Sequence, residues 1–201
     1  LAGLVEPARY RLAASLLLLS PYVPLIFMGE EYGETNPFQY FVHHSDPQLV
    51  EAVRRGRREE FAAFGWASEV PDPAAEETFA RSQVAREKIA RDARHEAVHR
   101  LYAALLRLRR GEPALRPGDA PAWVEEREGV IVMRRGALVA AFNCTDARRD
   151  AAIGAGELLF ASESPEFGGD GGVAVQGTRV TLPAWGAVLV KSNVHSEEVN
   201  A

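Results

Sequence analysis

Residues 12–28 form an almost continuous apolar run, which constrains the fold more than any other feature of the sequence. The run is shorter than the roughly 20 apolar residues that cross a bilayer, and Pro21 and Pro24 interrupt it. The residue types before the prolines are strong helix formers, whereas those after them suit a strand covered on both faces. The pattern predicts a buried helix over residues 8–19 and a buried strand over residues 25–28, as in α/β proteins.

Length and composition narrow the class of fold. A chain of 201 residues falls far short of the roughly 250 that a closed (β/α)8 barrel needs, so a whole barrel is excluded. With 47% hydrophobic and 25% charged residues, the composition is that of a globular protein rather than a disordered one. The net charge of −5 offers no overall attraction to nucleic acids or acidic membranes, so we expect neither as a partner.

The chain has one cysteine, Cys144, which excludes an internal disulfide and a cysteine-based zinc site. A reducing compartment fits this usage, and we expect the cytoplasm. The sequence starts with Leu1 and has no basic segment ahead of an apolar stretch, so a signal peptide is not predicted. We expect that an N-terminal part of a longer protein is missing.

Two further helices and a series of short strands follow the apolar run. Helical periodicity predicts helices over residues 47–64 and 82–110, and glycine-rich turns separate the strand candidates that come after them. The candidate strands are 122–126, 130–134, 138–143, 157–161, 172–176, 179–182 and 187–191. We therefore expect an α/β part over residues 1–114 and an all-β domain over residues 115–201.

Polar and aromatic side chains crowd the segment directly after the predicted strand, where parallel α/β sheets place their ligand sites. Glu30 and Glu31 supply two carboxylates, but neighbours on an extended segment point to opposite sides. At most one of them is therefore expected to face a ligand. In the alternative interpretation, one glutamate pairs with an arginine and the other is solvated.

Phe38, Gln39 and Tyr40 place two aromatic rings and an amide side by side. An aromatic ring can stack on the C–H face of a sugar while an amide bonds its hydroxyl groups. Exposed rings at this density are a liability without a ligand or a covering element. The alternative is a small satellite core beneath the loop.

Residues 95–99 match H-E-x-x-H, the helical pattern in which two histidines bind Zn²⁺ and a glutamate acts as a base. His95, Glu96 and His99 would need a third ligand from a nearby glutamate. Arg94 and Arg100 flank the pattern and disfavour a dication. The competing interpretation is a pair of solvent-facing histidines on an amphipathic helix.

No nucleotide-binding or serine-hydrolase motif is present, since G-x-S-x-G, the P-loop pattern and a strand-borne G-x-G-x-x-G are all absent. Trp123 and Trp185 lie in the predicted β region. We expect them to be core anchors rather than a platform for a sugar.

Longer stretches of the sequence resemble a known family. Residues 19–34, which include Met28-Gly29-Glu30-Glu31-Tyr32-Gly33-Glu34, resemble the seventh helix and eighth strand of the barrel of glycoside hydrolase family 13, the α-amylase superfamily. Residues 101–115 resemble its last barrel helix, and residues 182–186 its closing C-domain strand. The stretches 36–41, 56–61, 70–73, 78–79 and 81–82 resemble, more narrowly, the trehalose-releasing hydrolases within that family.

The resemblance implies the C-terminal end of a (β/α)8 barrel followed by an antiparallel β-sandwich domain. It also implies a retaining hydrolase that cuts the α-1,4 bond next to the trehalose end of maltooligosyl trehalose, an α-glucan oligosaccharide. The family's catalytic carboxylates lie upstream of the eighth strand, so we expect no catalytic residue, metal or cofactor site in this chain. The substrate-binding residues that the resemblance indicates are Phe27, Glu30, Glu31, Tyr32, Phe38, Gln39 and Tyr40.

Three alternatives stay open on the sequence. Another family 13 enzyme, such as a branching or debranching enzyme, would share the strand and the last helix. A zinc hydrolase would use His95, Glu96 and His99. A non-catalytic sugar-binding module would use the aromatic loop alone. Because a partial barrel leaves strand edges unpaired, we also expect self-association when the chain is alone.

Overall fold

The computed structural model describes residues 2–63, 65, 70–116, 118 and 121–193. Its helices are α1 (Pro7–Leu19), α2 (Pro47–Ala63), α3 (Glu76–Arg81), α4 (Lys88–Arg91) and α5 (Ala93–Gly111). Its strands are β1 (Trp123–Arg127), β2 (Val130–Arg135), β3 (Leu138–Asn143), β4 (Arg149–Ala152), β5 (Gly156–Ala161), β6 (Ala174–Gln176), β7 (Arg179–Leu182) and β8 (Ala187–Ser192). None of the described helices combines the length and apolar character needed to cross a bilayer.

The chain forms two compact units. The first comprises Leu1–Gly33 together with Arg86–Ala201, and the second comprises Glu34–Ala85. This division follows packing within the chain. The sequence-based boundary near residue 114 remains a prediction about domain organisation.

A five-stranded antiparallel sheet in the order β1-β2-β3-β8-β5 organises the first unit. All six residues of β3 are buried, because the sheet is covered on both faces. Ala140 and Phe142 belong to the apolar cluster that contains α1 and α5. Val139 and Ala141 alternate with them and belong to the cluster shared with a second, three-stranded sheet in the order β4-β7-β6. The antiparallel β-rich region expected from the sequence is therefore confirmed.

A buried arginine fixes the end of α1. The guanidinium of Arg109, on α5, donates hydrogen bonds of 2.8 Å to the carbonyl oxygens of Leu18 and Ser20, and another to that of Tyr22. The last carbonyls of a helix have no partner within the helix, and a cation is favourable beside them. Burial lowers the pKa of Arg109, and the nearby Arg135 guanidinium lowers it further.

A second buried arginine ties α1 to the β region. Nε of Arg11 donates to Oε1 of Glu163 at 2.9 Å, its Nη2 donates to the other carboxylate oxygen, and its Nη1 donates to the carbonyl of Gly168 at 3.1 Å. Both side chains are almost fully buried. The ion pair therefore joins the first helix of the unit to the loop that follows β5.

Residues 25–28 are not a strand in this structure, contrary to the sequence-based prediction. The segment is extended, but none of the described strands pairs with it. Its apolar side chains are consequently exposed: Leu25 is 85% accessible and Phe27 is half-exposed. The apolar pattern identified a segment suited to a buried strand, but neighbouring parallel strands are absent from the described residues. Strand β4 was missed for the opposite reason, because Arg-Asp-Ala-Ala carries no strand pattern.

The second unit contains little apolar burial. Helix α2 has no buried side chain among those described, and Thr78 is the buried residue of α3. Hydrogen bonds and ion pairs connect its parts instead. The Arg54 guanidinium on α2 binds both carboxylate oxygens of Asp72, at 2.9 and 2.8 Å. Asp72 in turn accepts from the backbone N–H of Ala74 at 3.0 Å.

Candidate functional site

The acidic turn after the apolar run is a single 3₁₀ turn over Glu30–Tyr32. Gly29 and Gly33 bound it with positive φ values of 87° and 71°, which glycine adopts without a steric penalty. This geometry explains why the turn forms at Met28-Gly29-Glu30-Glu31-Tyr32-Gly33. It presents the two glutamates from a compact loop rather than from an extended strand.

The carboxylate of Glu30 is engaged inside the protein. Its Oε1 accepts a 2.6 Å hydrogen bond from the hydroxyl of Tyr102, and its Oε2 accepts a 3.1 Å bond from the backbone N–H of Phe27. The hydroxyl of Tyr10 donates to the Glu30 carbonyl at 2.7 Å. Both carboxylate oxygens therefore stabilise the turn itself.

Two buried tyrosines supply these bonds as permanent donors. Burial raises the pKa of Tyr10 to about 12, with a smaller contribution from Glu30 and Glu31. Burial and the hydrogen bond to Glu30 raise the pKa of Tyr102 well above its ordinary value. The sequence placed Tyr102 on the apolar face of a helix but gave no sign that its hydroxyl group reaches Glu30.

Glu31 and Phe27 remain partly accessible. Oε2 of Glu31 accepts from the backbone N–H of Gly29 at 2.9 Å, and Glu31 lines an open cavity of about 720 Å³ with His99 and Tyr102. Among the described residues neither Glu30 nor Glu31 pairs with an arginine, so the ion-pair alternative for these glutamates is wrong.

Tyr32 lies in the core rather than at the surface. Its side chain is fully buried and its ring makes an edge contact with the His95 ring, with centroids 6.2 Å apart. The Tyr32 carbonyl lies 2.8 Å from Nδ1 of His95. Tyr32 therefore anchors the acidic turn to α5.

The H-E-x-x-H residues are not arranged as metal ligands. His95 is buried, contrary to the expectation of two solvent-facing histidines, and its Nδ1 is engaged with Tyr32. His99 is exposed, and Glu96 pairs with Arg100 at 2.6 Å. Across residues 2–63, 65, 70–116, 118 and 121–193 there is no group of three His, Cys, Asp or Glu side chains that could hold a metal ion.

The aromatic loop belongs to the second unit. Phe38 is 57% accessible and Tyr40 is 50% accessible. The Arg57 guanidinium lies over the Tyr40 ring, 5.0 Å from its centroid. These rings do not form a buried satellite core, although Phe41 beside them contacts Phe79 edge-on at 5.1 Å.

Gln39 holds the loop through its backbone and leaves its side chain in a cavity wall. Its backbone N–H donates to Oγ of Ser82 at 3.1 Å, while its buried Oε1 accepts no hydrogen bond. Gln39 lines a cavity of about 850 Å³ with Arg54, Asp72 and other residues of the second unit. The cavity wall is therefore rich in paired charges and planar hydrogen-bonding groups.

Curated relatives that share one name match most of the chain. A malto-oligosyltrehalose trehalohydrolase from Mycobacterium tuberculosis is 39% identical over 163 residues, which is 77% of this chain and 27% of the relative. Another, from Brevibacterium helvolum, is 35% identical over 184 residues, which is 90% of this chain and 30% of the relative. The chain thus spans less than a third of the length of these relatives. No family model matches the chain.

Solved structures give the same picture. A crystal structure assigned as an α-amylase from Salmonella typhimurium superposes with a TM-score of 0.75 at 30% identity, covering 94% of this chain and 32% of that one. Amy13B from Eubacterium rectale superposes with a TM-score of 0.60 at 14% identity, covering 96% of this chain and 37% of that one, and shares the fold alone.

The chain belongs to the α-amylase superfamily of glycoside hydrolases. Within that superfamily it matches the C-terminal portion of the malto-oligosyltrehalose trehalohydrolases. The resemblance inferred from the sequence motifs is confirmed.

Proposed function

We propose that this chain is the C-terminal part of a retaining hydrolase that cleaves the α-1,4 bond next to the trehalose end of maltooligosyl trehalose and releases trehalose. The observation that carries the proposal is the 35–39% identity to malto-oligosyltrehalose trehalohydrolases over most of the chain. The expected setting is trehalose biosynthesis from α-glucan in the cytoplasm. The lone Cys144 fits that compartment.

In this proposal residues 1–114 are the last elements of the catalytic (β/α)8 barrel, and residues 115–201 are the β-sandwich C-domain. The extended segment at 25–28 is the eighth barrel strand. Its exposed apolar side chains and unpaired backbone are the features of a strand whose neighbours lie elsewhere in the polypeptide.

The predicted substrate-binding residues take two roles in this proposal. Phe38 and Tyr40 offer exposed rings for stacking on glucosyl units, and Gln39, Phe27 and Glu31 supply further contacts. Glu30 and Tyr32 act at one remove, because the carboxylate of Glu30 and the ring of Tyr32 hold the turn in place.

The bond-breaking carboxylates lie outside this chain in the proposal. A retaining glycosidase holds two carboxyl groups about 5 to 5.5 Å apart across one scissile bond. Glu30 and Glu31 are adjacent in one turn, and the Glu30 carboxylate is committed to Tyr102 and Phe27. Such an arrangement positions a wall of a site but does not cleave a glycosidic bond.

The experiment is a product analysis of the complete gene product that contains this chain. Incubated with maltooligosyl trehalose, it is expected to release free trehalose with retention of anomeric configuration, and Phe38→Ala is expected to raise KM. Phe41→Leu, at a neighbouring ring, is the matched control. Formation of branched or debranched glucan instead of trehalose would identify another family 13 activity and refute the proposal.

We also propose that the chain self-associates when it is produced alone. Leu25 and its apolar neighbours are exposed on an extended segment, which is a template for strand pairing. Sedimentation velocity is expected to show oligomers that Leu25→Lys shifts toward monomer. A wild-type chain that stays monomeric at high concentration would contradict this.

A further inference from the structure

The structure corrects the expected role of Trp123, and the correction has a functional consequence. Trp185 packs against the core beneath the Arg9 guanidinium, 4.2 Å from the ring centroid. Trp123 instead lies on β1, the edge strand of the five-stranded sheet, and is 60% accessible. A large indole exposed on a strand with no buried residue calls for a ligand or a partner.

Strand parity places Trp123 on the face of β1 that borders a groove. Residues Trp123, Glu125 and Arg127 alternate on one face, and the last two line a groove of about 630 Å³. The register confirms this face, because Glu125 pairs with Val132 and Arg127 with Val130. Both valines belong to the core between the two sheets, and they also line the groove.

The groove combines an apolar floor with a polar rim. Val130, Val132 and Ala151 supply the floor, which suits C–H surfaces. The charged residues of the rim are Glu125, Arg127, Glu128, Arg148, Arg149, Asp150 and Arg179. Among the described residues Arg127, Arg148 and Arg149 form no ion pair, so their guanidinium groups keep donors for a ligand.

The mixed charge of the rim favours a neutral polyhydroxylated ligand over an anion. Glu125, Glu128 and Asp150 would repel a phosphate or a carboxylate, whereas they accept hydrogen bonds from hydroxyl groups. Arginine donors serve the oxygens of the same hydroxyl groups. An exposed indole beside such a rim adds an apolar face with a polar edge.

We propose that this groove and Trp123 form a binding site for a linear α-glucan on the β-sandwich. The ligand class rests on the proposed function, but the site uses none of the residues that the proposed function assigns. The edge of the groove is held by Arg134, whose Nη2 donates to the carbonyl of Ala152 on β4 at 3.0 Å. The site is thus built between the two sheets before any ligand arrives.

The test is native affinity electrophoresis of the 201-residue chain in gels with and without soluble amylopectin. To remove the proposed loop site, the background is Phe38→Ala with Tyr40→Ala. This double variant is expected to be retarded by the glucan, and adding Trp123→Ala is expected to weaken binding about tenfold, a loss of one aromatic contact. Trp123→Phe is the matched control and is expected to keep most of the retardation.

Several results would overturn the site. A double variant that is not retarded, or one that Trp123→Ala leaves equally retarded, would refute it. Retardation lost in the double variant but not in Trp123→Ala alone would assign all glucan binding to the loop. Thermal stabilisation by inorganic phosphate without any glucan retardation would show that the groove is an anion site instead. Failure of the complete gene product to release trehalose would refute the proposed function without deciding the groove.

Discussion

The two long helices of this chain show how differently its two units are stabilised. Helix α5 of the first unit buries six residues, among them Leu101 and Leu105, against α1 and the five-stranded sheet. Helix α2 of the second unit buries none of its described side chains and is held by ion pairs such as Arg54–Asp72. Apolar burial therefore stabilises the first unit, while the second depends on weaker, solvent-exposed contacts.

The comparison also separates positioning from binding. The polar groups of the acidic turn in the first unit are mostly engaged: Glu30 with Tyr102 and Phe27, and Glu31 with Gly29. The loop of the second unit exposes the rings of Phe38 and Tyr40. Groups that are already engaged hold a shape, whereas exposed rings are available to a ligand.

The largest effect is expected at the buried ion pair. Glu163→Gln leaves the Arg11 guanidinium buried without its countercharge, which costs about 3–5 kcal/mol in the free energy of unfolding. Urea unfolding followed by circular dichroism measures the loss. The matched control is Glu166→Gln, at an exposed residue of the same loop, which is expected to change little. Equal stability of the two variants would show that the pair contributes nothing to the first unit.

A smaller effect is expected at the acidic turn. Tyr102→Phe removes the donor to Glu30 and leaves a carboxylate oxygen poorly solvated, at a cost of about 1–3 kcal/mol. Hydrogen exchange of the Glu30–Tyr32 amides is expected to accelerate more than exchange in β3. If exchange in the turn is unchanged, the tyrosine does not hold Glu30.

Alkaline pH probes the same turn. Because the folded pKa of Tyr10 is raised to about 12, its contribution to stability is complete below the unfolded pKa near 10 and is lost as pH rises through the folded value. Absorbance at 295 nm is expected to show Tyr10 ionising only above pH 10, identified by its loss in Tyr10→Phe. A Tyr10 contribution near pH 10 would contradict its burial.

The smallest effect is expected in the second unit at acid pH. The hydrogen bond from Arg54, and then that from Ala74 N–H, lowers the pKa of Asp72. Its contribution is therefore present above the unfolded pKa near 4 and is lost as pH falls through the lower folded value. Protection of α2 amides is expected to fall in that range and to become less pH-dependent in Asp72→Asn. Unchanged protection in α2 would mean that this pair does not hold the helix.

The sequence predicted the fold where side-chain pattern and pairing partners lie in the same chain. Strands β2, β3 and β8 were found because alternating or continuous apolar residues cover both faces of one sheet. Residues 25–28 have the same apolar pattern but lack partner strands among the described residues. Pattern alone states that a segment suits a strand and does not state which strands are present.

The candidate site was predictable in location but not in detail. The acidic and aromatic residues after the apolar run marked the right stretch of sequence. The use of Glu30 by Tyr102 depends on a contact between residues 72 positions apart, which no local pattern reports. The exposure of Trp123 likewise follows from β1 being an edge strand, a property of the sheet order rather than of the residue.

The central claim is that this chain carries the wall of a glucan site and not its bond-breaking groups. The direct measurement is trehalose release from maltooligosyl trehalose by the purified 201-residue chain, beside the complete gene product at equal concentration. The account predicts release by the complete protein and none above background by the chain alone. Trehalose release by the isolated chain would contradict it.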